Sequence, residues 1–127
     1  MNTPELLKYN KTDEWVKVEE ETATIGITDY AQSQLSDVVF AQIQVSVGDM
    51  LAAGSVIATV ESVKASSDVT TPISGKVLEI NEEINSSPEI LNADPYGQAW
   101  LIKIQIKQSH ELNNLLDAAA YREFRKE

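Results

Sequence analysis

One stretch decides the fold of this 127-residue chain: Val56-Ile57-Ala58-Thr59-Val60-Glu61-Ser62-Val63-Lys64-Ala65-Ser66-Ser67-Asp68-Val69-Thr70-Thr71. β-branched residues occupy both ends and a short polar segment lies between them, which is the pattern of two strands joined by a turn. Lys64 lies in that turn and is the only basic residue between Lys17 and Lys76. The sequence therefore predicts a β-hairpin that presents one primary amine at its tip.

Further strands are predicted on both sides of this hairpin. They cover residues 15–18, 23–28, 38–45, 76–80 and 100–107. Apolar and polar residues alternate in the last of them, as expected for a strand with one buried face. The residues expected to face the core from that strand are Trp100, Ile102, Ile104 and Ile106.

Two helices are predicted. Thr28 can cap a short helix over residues 29–35, with the acidic Asp29 near its positive end. After Ser109, a residue type that caps helices, leucines and alanines at helical spacing predict a C-terminal helix, or a pair of helices, over about 110–124. Glycine turns, short strands and the absence of a long helix before residue 110 favour a mainly β fold, an antiparallel sandwich or flattened barrel.

The remaining segments are expected to be loops within one domain that spans residues 1–127, with its core at about 9–107. Prolines and Gly97 in residues 82–97 predict a long loop with one helical turn. The N-terminal segment is polar, with Leu6, Leu7 and Tyr9 as the expected anchors.

Composition argues against several functions. The formal net charge of −10 disfavours binding to nucleic acid or anionic membranes. Without cysteine and with His110 as the only histidine, a structural zinc site or a Ser-His-Asp triad is not expected, and no metal site is predicted. The first residues lack the apolar core of a secretory signal, and no apolar run approaches membrane-spanning length. We therefore expect a monomeric cytoplasmic protein, with a mature mitochondrial form as the less favoured alternative.

Lys64 is better suited to be modified than to catalyse. A lysine is protonated at neutral pH, and the neighbouring Glu61 and Asp68 favour that charged form. A catalytic lysine needs desolvation or a cationic neighbour instead. An amine on a protruding turn is, however, accessible to an enzyme that modifies it.

The residues around Lys64 carry a family resemblance. Glu61-Ser62-Val63-Lys64-Ala65 resembles the lipoyl-attachment motif of the glycine cleavage system H proteins. Further matches follow in the family's order: Tyr9 to Val18, Ile25 to Gln32, Leu35 to Phe40, Ser67-Asp68, Pro72 to Gly75, Asn81-Glu82, Ser87 to Glu89, Asp94 to Gly97, and Trp100 to Ile104.

The resemblance implies a fold and a cofactor. The fold is the hammerhead lipoyl domain, a lipoyl-domain-like barrel-sandwich hybrid of two small antiparallel sheets packed face to face. The cofactor is lipoic acid, attached to Lys64 by an amide bond. That bond would remove one positive charge and bring a redox-active disulfide to a chain without cysteine.

The resemblance also implies partners and a role. A pyridoxal-phosphate glycine decarboxylase loads the aminomethyl group of glycine onto the carrier, and an aminomethyltransferase passes the one-carbon unit to tetrahydrofolate. A flavin-dependent dihydrolipoamide dehydrogenase restores the disulfide, and lipoate-attaching enzymes modify Lys64. The H protein is a carrier in this glycine catabolism and not itself an enzyme.

Three residues match the family's pocket for the carried amine: Glu14, Asp68 and Thr12. A carboxylate can hold an ammonium by charge-assisted hydrogen bonds, and a cleft excludes water. The chain departs from the family at three places. Asp13 replaces the usual His before Glu-Trp, Ser36 replaces a Gly, and residues 42–45 are more polar. Asp13 is expected to add an anion that alters the field of the pocket.

Other functions remain open at this point. A relay donor of lipoyl or octanoyl groups to other lipoyl domains would need the same lysine. Biotinyl domains show Met on both sides of the lysine, and 2-oxoacid dehydrogenase lipoyl domains commonly show Asp before it, whereas Val63 and Ala65 flank Lys64 here. An enzyme using paired carboxylates, and an adaptor with an unmodified Lys64, are less favoured alternatives.

Overall fold

The computed structural model describes residues 1–126, so Glu127, the last residue of the predicted 1–127 domain, lies outside them. In chain order the elements are β1 Lys8–Tyr9, β2 Glu14–Glu19, β3 Thr22–Ile27, α1 Asp29–Leu35, β4 Val38–Ile43, β5 Met50–Leu51, β6 Val56–Ser62, β7 Ser66–Thr70, β8 Gly75–Ile80, α2 Glu83–Ser86, α3 Ile90–Ala93, β9 Ile102–Ile106, a 3-10 helix Ser109–Asn114 and α4 Ala118–Phe124.

Two antiparallel sheets form the body of the fold. The larger sheet has the strand order β1-β2-β3-β9-β8-β5, and the smaller has the order β4-β6-β7. Both sheets contribute to one apolar core, for example through Ile25 and Ile104 from the larger and Val60 from the smaller, all fully buried. The fold is therefore the predicted mainly β sandwich, and its sheets do not close into a single barrel.

A second, smaller core joins the two ends of the chain. Tyr9 from β1 stacks on Tyr121 from α4, with ring centroids 4.7 Å apart. The backbone of Tyr9 also exchanges two hydrogen bonds of 2.7 Å with Leu116. Offset ring stacking adds to the energy of burying these large side chains. As a result, the C-terminal helix is fixed beside the turn that joins β1 to β2.

The first helix confirms its predicted capping residue. Thr28 has an extended backbone, and its hydroxyl accepts a 3.1 Å hydrogen bond from the amide of Ala31. The helix ends at Ser36, whose φ of 64° lies in the left-handed region. A glycine at this position would adopt that conformation more easily.

Several local predictions are wrong. Leu6 is 96% exposed and anchors nothing, whereas Leu7 and Tyr9 are buried as predicted. The C-terminal helical region predicted over about 110–124 is a pair, a 3-10 helix followed by the seven-residue α4, so the second of the two predicted arrangements is the correct one. Asp117, not Ser109, caps that helix, accepting a 2.8 Å hydrogen bond from the amide of Ala120.

The strand predicted over 100–107 is shorter than expected. It covers Ile102–Ile106, and the fully buried Leu101 precedes it while Trp100 and Ile106 are only half-buried. The loop over 82–97 contains two short helices instead of one turn. The two-residue strands β1 and β5 were not predicted, because each is defined by its partner strand and not by its own pattern.

Asparagine side chains cap the outer edge of the smaller sheet. β4 is an edge strand, and its first and last amides donate to side chains of the 81–97 segment. The amide of Val38 donates to Asn92 Oδ1 at 2.8 Å, and that of Ile43 donates to Asn85 Oδ1 at 3.0 Å. These bonds satisfy backbone donors that an edge strand otherwise leaves open.

We expect Gly75→Ala to destabilise the fold. A Cβ at this buried position would lie 2.4 Å from the backbone carbonyl oxygen of Gln105 on β9, which cannot move without disturbing the sheet. The expected loss is about 2 kcal/mol in the free energy of unfolding, measured in urea. The matched control Lys76→Ala, at the exposed neighbouring position, should change it by less than about 0.5 kcal/mol. Equal stability of the two variants would contradict this packing argument.

Candidate functional site

Lys64 lies at the tip of the β6–β7 hairpin, as predicted, and is exposed. The amide of Ser62 donates to the carbonyl of Ala65 at 2.8 Å and closes the turn. The Ser62 hydroxyl accepts from the amides of Ala65 at 3.0 Å and Lys64 at 3.3 Å. The amide of Val63 also donates to the carbonyl of Asp37 at 3.1 Å. The backbone of the tip is therefore held in place while the lysine side chain extends into solvent.

The other residues of the predicted motif surround this tip. Ser62 organises the turn, as its hydrogen bonds show. Glu61 is exposed and lies opposite Phe40 on β4 and Ser66 on β7. Val63 is 68% exposed beside Lys64. An enzyme that approaches the lysine therefore meets both acidic and apolar side chains.

A cavity of about 340 Å³ lies beside the hairpin. Four parts of the chain line it, namely residues 12–14 where the β1–β2 turn enters β2, Ile27 at the end of β3, one side of α1, and residues 65–69 that follow Lys64. Ile27 and Leu35 give it an apolar part, and Thr12 and Glu14 give it a polar part. We call this cavity the arm pocket. All three predicted pocket residues, Thr12, Glu14 and Asp68, line it.

Glu14 is the buried carboxyl group of the arm pocket, with 3% of its surface exposed. It accepts hydrogen bonds from Thr12 Oγ1 at 2.5 Å and from Asn10 Nδ2 at 3.2 Å. Burial raises the pKa of Glu14 to about 7, and the negative charge of Asp13 adds to the effect, while the hydrogen bonds of Thr12, Asn10 and the Thr70 amide oppose it. Near neutral pH this group is therefore divided between its neutral and ionised forms.

Asp68 has a different environment from Glu14. It is exposed, and its Oδ1 accepts a 3.3 Å hydrogen bond from Thr59 Oγ1 on the neighbouring strand. In that geometry Asp68 contributes negative charge at the mouth of the arm pocket, whereas Glu14 contributes it inside. Thr12 contacts Glu14 directly and orients its carboxylate.

Asp13 adds an anion that raises the pKa of Glu14, as predicted, and Arg125 pairs with that anion. The Arg125 Nε donates to Asp13 Oδ1 at 2.9 Å and its Nη2 donates to Oδ2 at 2.7 Å. Both side chains are mostly shielded from solvent, at 24% and 19% exposure. The sequence analysis missed Arg125, since 112 residues separate the two partners. The local signal was its spacing of four from Tyr121, which places the two side chains on the same side of the last turn of α4 and its C-terminal cap.

No three His, Asp or Glu side chains among residues 1–126 converge in a way that could hold a metal ion. No helix in the same part of the chain is long and apolar enough to cross a bilayer.

Two packed antiparallel sheets with one lysine at an exposed hairpin tip define a lipoyl-domain-like fold. The family model for the glycine cleavage H-protein matches residues 7–127. The chain belongs to the glycine cleavage H-protein family. Membership makes it a lipoyl-carrier component of the glycine cleavage system.

Individual relatives agree with this assignment. The glycine cleavage system H protein of Thermotoga maritima is 50% identical over 117 residues, covering 92% of this chain and 94% of the relative. That of Symbiobacterium thermophilum is 49% identical over 126 residues, covering 99% and 98%. The crystal structure of the H protein from Mycobacterium marinum superposes with a TM-score of 0.84 at 30% identity, covering 96% of this chain and 98% of that one.

Proposed function

We propose that Lys64 carries the lipoyl group and that the whole chain, residues 1–127, acts as one carrier module. In this role it takes the aminomethyl group of glycine from a pyridoxal-phosphate glycine decarboxylase to a tetrahydrofolate-dependent aminomethyltransferase. A dihydrolipoamide dehydrogenase then restores the disulfide. The observation that carries the proposal is an exposed lysine on a fixed hairpin tip, next to a cavity with a buried carboxyl group.

The residues present fit a lipoyl group. The Lys64 amine is accessible to a lipoate-attaching enzyme, and amide formation removes its positive charge next to the acidic Glu61 and Asp68. Bound there, lipoate supplies a redox-active disulfide to a chain that has no cysteine. Ile27 and Leu35 offer apolar surface that can cover a hydrocarbon chain inside the arm pocket.

Glu14, Thr12 and Asp68 fit a carried ammonium. In its ionised form Glu14 can accept hydrogen bonds from an ammonium, and Thr12 fixes the position of the receiving oxygen. Asp68 adds favourable charge at the mouth of the pocket. Because the pocket walls shield Glu14 from solvent, water reaches a group held there less easily. The chain therefore protects its cargo and leaves the bond-making steps to its partner enzymes.

The proposed partner enzymes indicate where the protein acts and in what form. We propose a cytoplasmic protein, like the carrier of a bacterial glycine cleavage system, that acts as a monomer and meets each enzyme in turn. An acidic surface favours encounters with basic rims on those enzymes, and such encounters weaken as salt increases.

Mass spectrometry tests the attachment. We expect protein from lipoate-replete cells that express a lipoate-attaching enzyme to carry one lipoyl increment, and peptide mapping to place it on Lys64. Unmodified protein under those conditions, or an increment on another lysine, would contradict the proposal.

An enzyme assay separates the shuttle from the relay alternative. With purified glycine decarboxylase, the lipoylated protein should support glycine-dependent exchange of carbon dioxide. A protein that is lipoylated on Lys64 but inactive in this assay, and that donates its lipoyl group to other lipoyl domains, would favour the relay role instead.

A further inference from the structure

Arg125, the residue that caps the C-terminal end of α4, binds the turn that leads to Glu14. Its Nε and Nη2 donate to the two carboxylate oxygens of Asp13, at 2.9 and 2.7 Å. Nη2 also donates to the carbonyl of Lys11 at 3.2 Å. The guanidinium thus holds the turn on both sides of Thr12, the residue whose hydroxyl contacts the Glu14 carboxyl group. A planar fork with several donors suits this double contact, and a lysine could not reproduce it.

Two buried residues, Tyr121 and Thr28, also donate hydrogen bonds to Asp13. The hydroxyl of Tyr121, a fully buried residue, donates to Asp13 Oδ1 at 2.8 Å and lies 2.8 Å from Thr28 Oγ1. The amide of Thr28 in turn donates to the Asp13 carbonyl at 3.0 Å. Asp13 is therefore connected both to α4 and to the residue that caps α1, which forms another wall of the arm pocket.

The backbone of Asp13 shows why these contacts are needed. Its φ of 76° lies in the left-handed region, which aspartate tolerates better than most residues but which still costs on the order of 1 kcal/mol. This conformation turns the chain into β2, where Glu14 is the first residue. The contacts to Asp13 consequently determine where the Glu14 carboxyl group lies.

We propose that Arg125 is a positioning residue for the arm pocket, which holds Asp13 and thereby sets the position and the electrostatic environment of Glu14. This inference rests on the proposed role of Glu14 in holding the carried ammonium. Arg125 lies at the end of the C-terminal helix, does not line the pocket and acts through Asp13, so its role is distinct from that of the residues that line the pocket.

The two members of the pair should have opposite effects on Glu14. The other ionisable groups that line the pocket are Asp13 in the same turn and Asp68 in β7, and the neutral hydrogen-bonding partners of Glu14 are Thr12, Asn10 and the Thr70 amide. Without Arg125, the Asp13 anion is uncompensated and disfavours a second anion at Glu14. Without the Asp13 charge, the guanidinium remains nearby and favours that anion.

Carboxyl carbon-13 NMR on the protein without cargo tests this coupling. We expect Arg125→Gln to raise the titration midpoint of Glu14 by about half a pH unit and Asp13→Asn to lower it by a similar amount. The double variant should return the midpoint close to that of the unmodified sequence. Arg122→Gln is the matched control, since Arg122 lies on the same helix but pairs with Glu5, at 2.9 Å, and should leave Glu14 unchanged.

A merely structural clamp would give another pattern. Both single variants would then loosen the turn and move the midpoint in the same direction, and the double variant would resemble them. That result, or no movement in any variant, overturns the inference.

The carried group provides a second readout. The aminomethyl cargo on the lipoylated protein should break down faster as the pH falls. The pH at which half of the protection is lost should be higher in Arg125→Gln and lower in Asp13→Asn. If the NMR midpoints move oppositely but breakdown ignores every variant, including Glu14→Ala, then the proposed role of Glu14 fails while the coupling of Arg125 to Glu14 stands. If the NMR midpoints do not move, the coupling is contradicted whatever the cargo does.

Discussion

Lys64→Arg is expected to lose all lipoyl incorporation and all carrier activity while keeping its fold. Acylation needs an amine that can lose its proton and attack an activated carboxyl group, and a guanidinium does not deprotonate in proteins. Lys64 is exposed, and the turn is held by backbone groups and by Ser62, so the free energy of unfolding should change by less than about 0.5 kcal/mol. Intact mass, urea unfolding and the carbon dioxide exchange assay measure the three quantities.

Lys76→Arg is the matched control for this experiment. Lys76 is also an exposed lysine of the same chain, but it lies within β8 and not at a hairpin tip. This variant should keep both the lipoyl increment and the activity. Residual lipoylation of Lys64→Arg would show that another lysine serves as the attachment site.

Glu14→Gln is expected to change both stability and cargo protection. Because the pKa of Glu14 in the folded protein is raised to about 7 from 4.5, the folded state holds this proton more tightly than the unfolded chain. The resulting stability is fully present below pH 4.5 and is lost as the pH rises through 7, by roughly 3 kcal/mol. Glutamine has no such titration. Between pH 5 and pH 8 the unmodified sequence should therefore lose about 2–3 kcal/mol more than the variant, as measured by urea unfolding.

Glu14→Gln should also make the aminomethyl cargo break down faster. A hydrogen bond from an ammonium to a carboxylate is worth about 1.5–3 kcal/mol, so the cargo should break down about tenfold faster in Glu14→Gln at pH 8. In the lipoylated protein with wild-type Glu14, the protection of the cargo from breakdown should weaken as the pH falls and Glu14 becomes neutral. The ammonium itself favours the carboxylate, so the midpoint of protection should lie below the pKa of the free group, about 7.

Glu61→Gln serves as the control, because Glu61 is an exposed acid near Lys64 that does not line the pocket. It should keep the pH dependence of stability and the breakdown rate of the unmodified sequence. If Glu14→Gln and Glu61→Gln behaved alike in both measurements, Glu14 would have no special role.

Local patterns in the sequence were sufficient for most of the fold. The β6–β7 hairpin and the helix capped by Thr28 were both predicted, because neighbouring residues alone determine them. Leu6 and Leu7 are chemically identical neighbours, and only the packing of Tyr9 against α4 decides which one is buried. Likewise, β5 exists because Met50 and Leu51 pair with β8, which no local pattern reveals.

The candidate site was predicted less completely. Thr12 and Glu14 are two residues apart and meet in one turn, and Asp68 reaches the same cavity through the hairpin. The burial of Glu14, and with it the raised pKa, depends on how α1 and β7 close over the turn. The pairing of Asp13 with Arg125 depends on the docking of the C-terminal helix. The sequence around position 13 therefore reveals the negative charge but not the cation that pairs with it.

The two asparagines on the outer edge of β4 affect how easily copies of the protein can associate. A carrier protein can reach its partners only if its copies remain separate and free to diffuse. Asn85 and Asn92 occupy the terminal amides through which a strand of another copy would begin to add to the sheet. The fold thus discourages the addition of a further strand at the β4 edge of its smaller sheet.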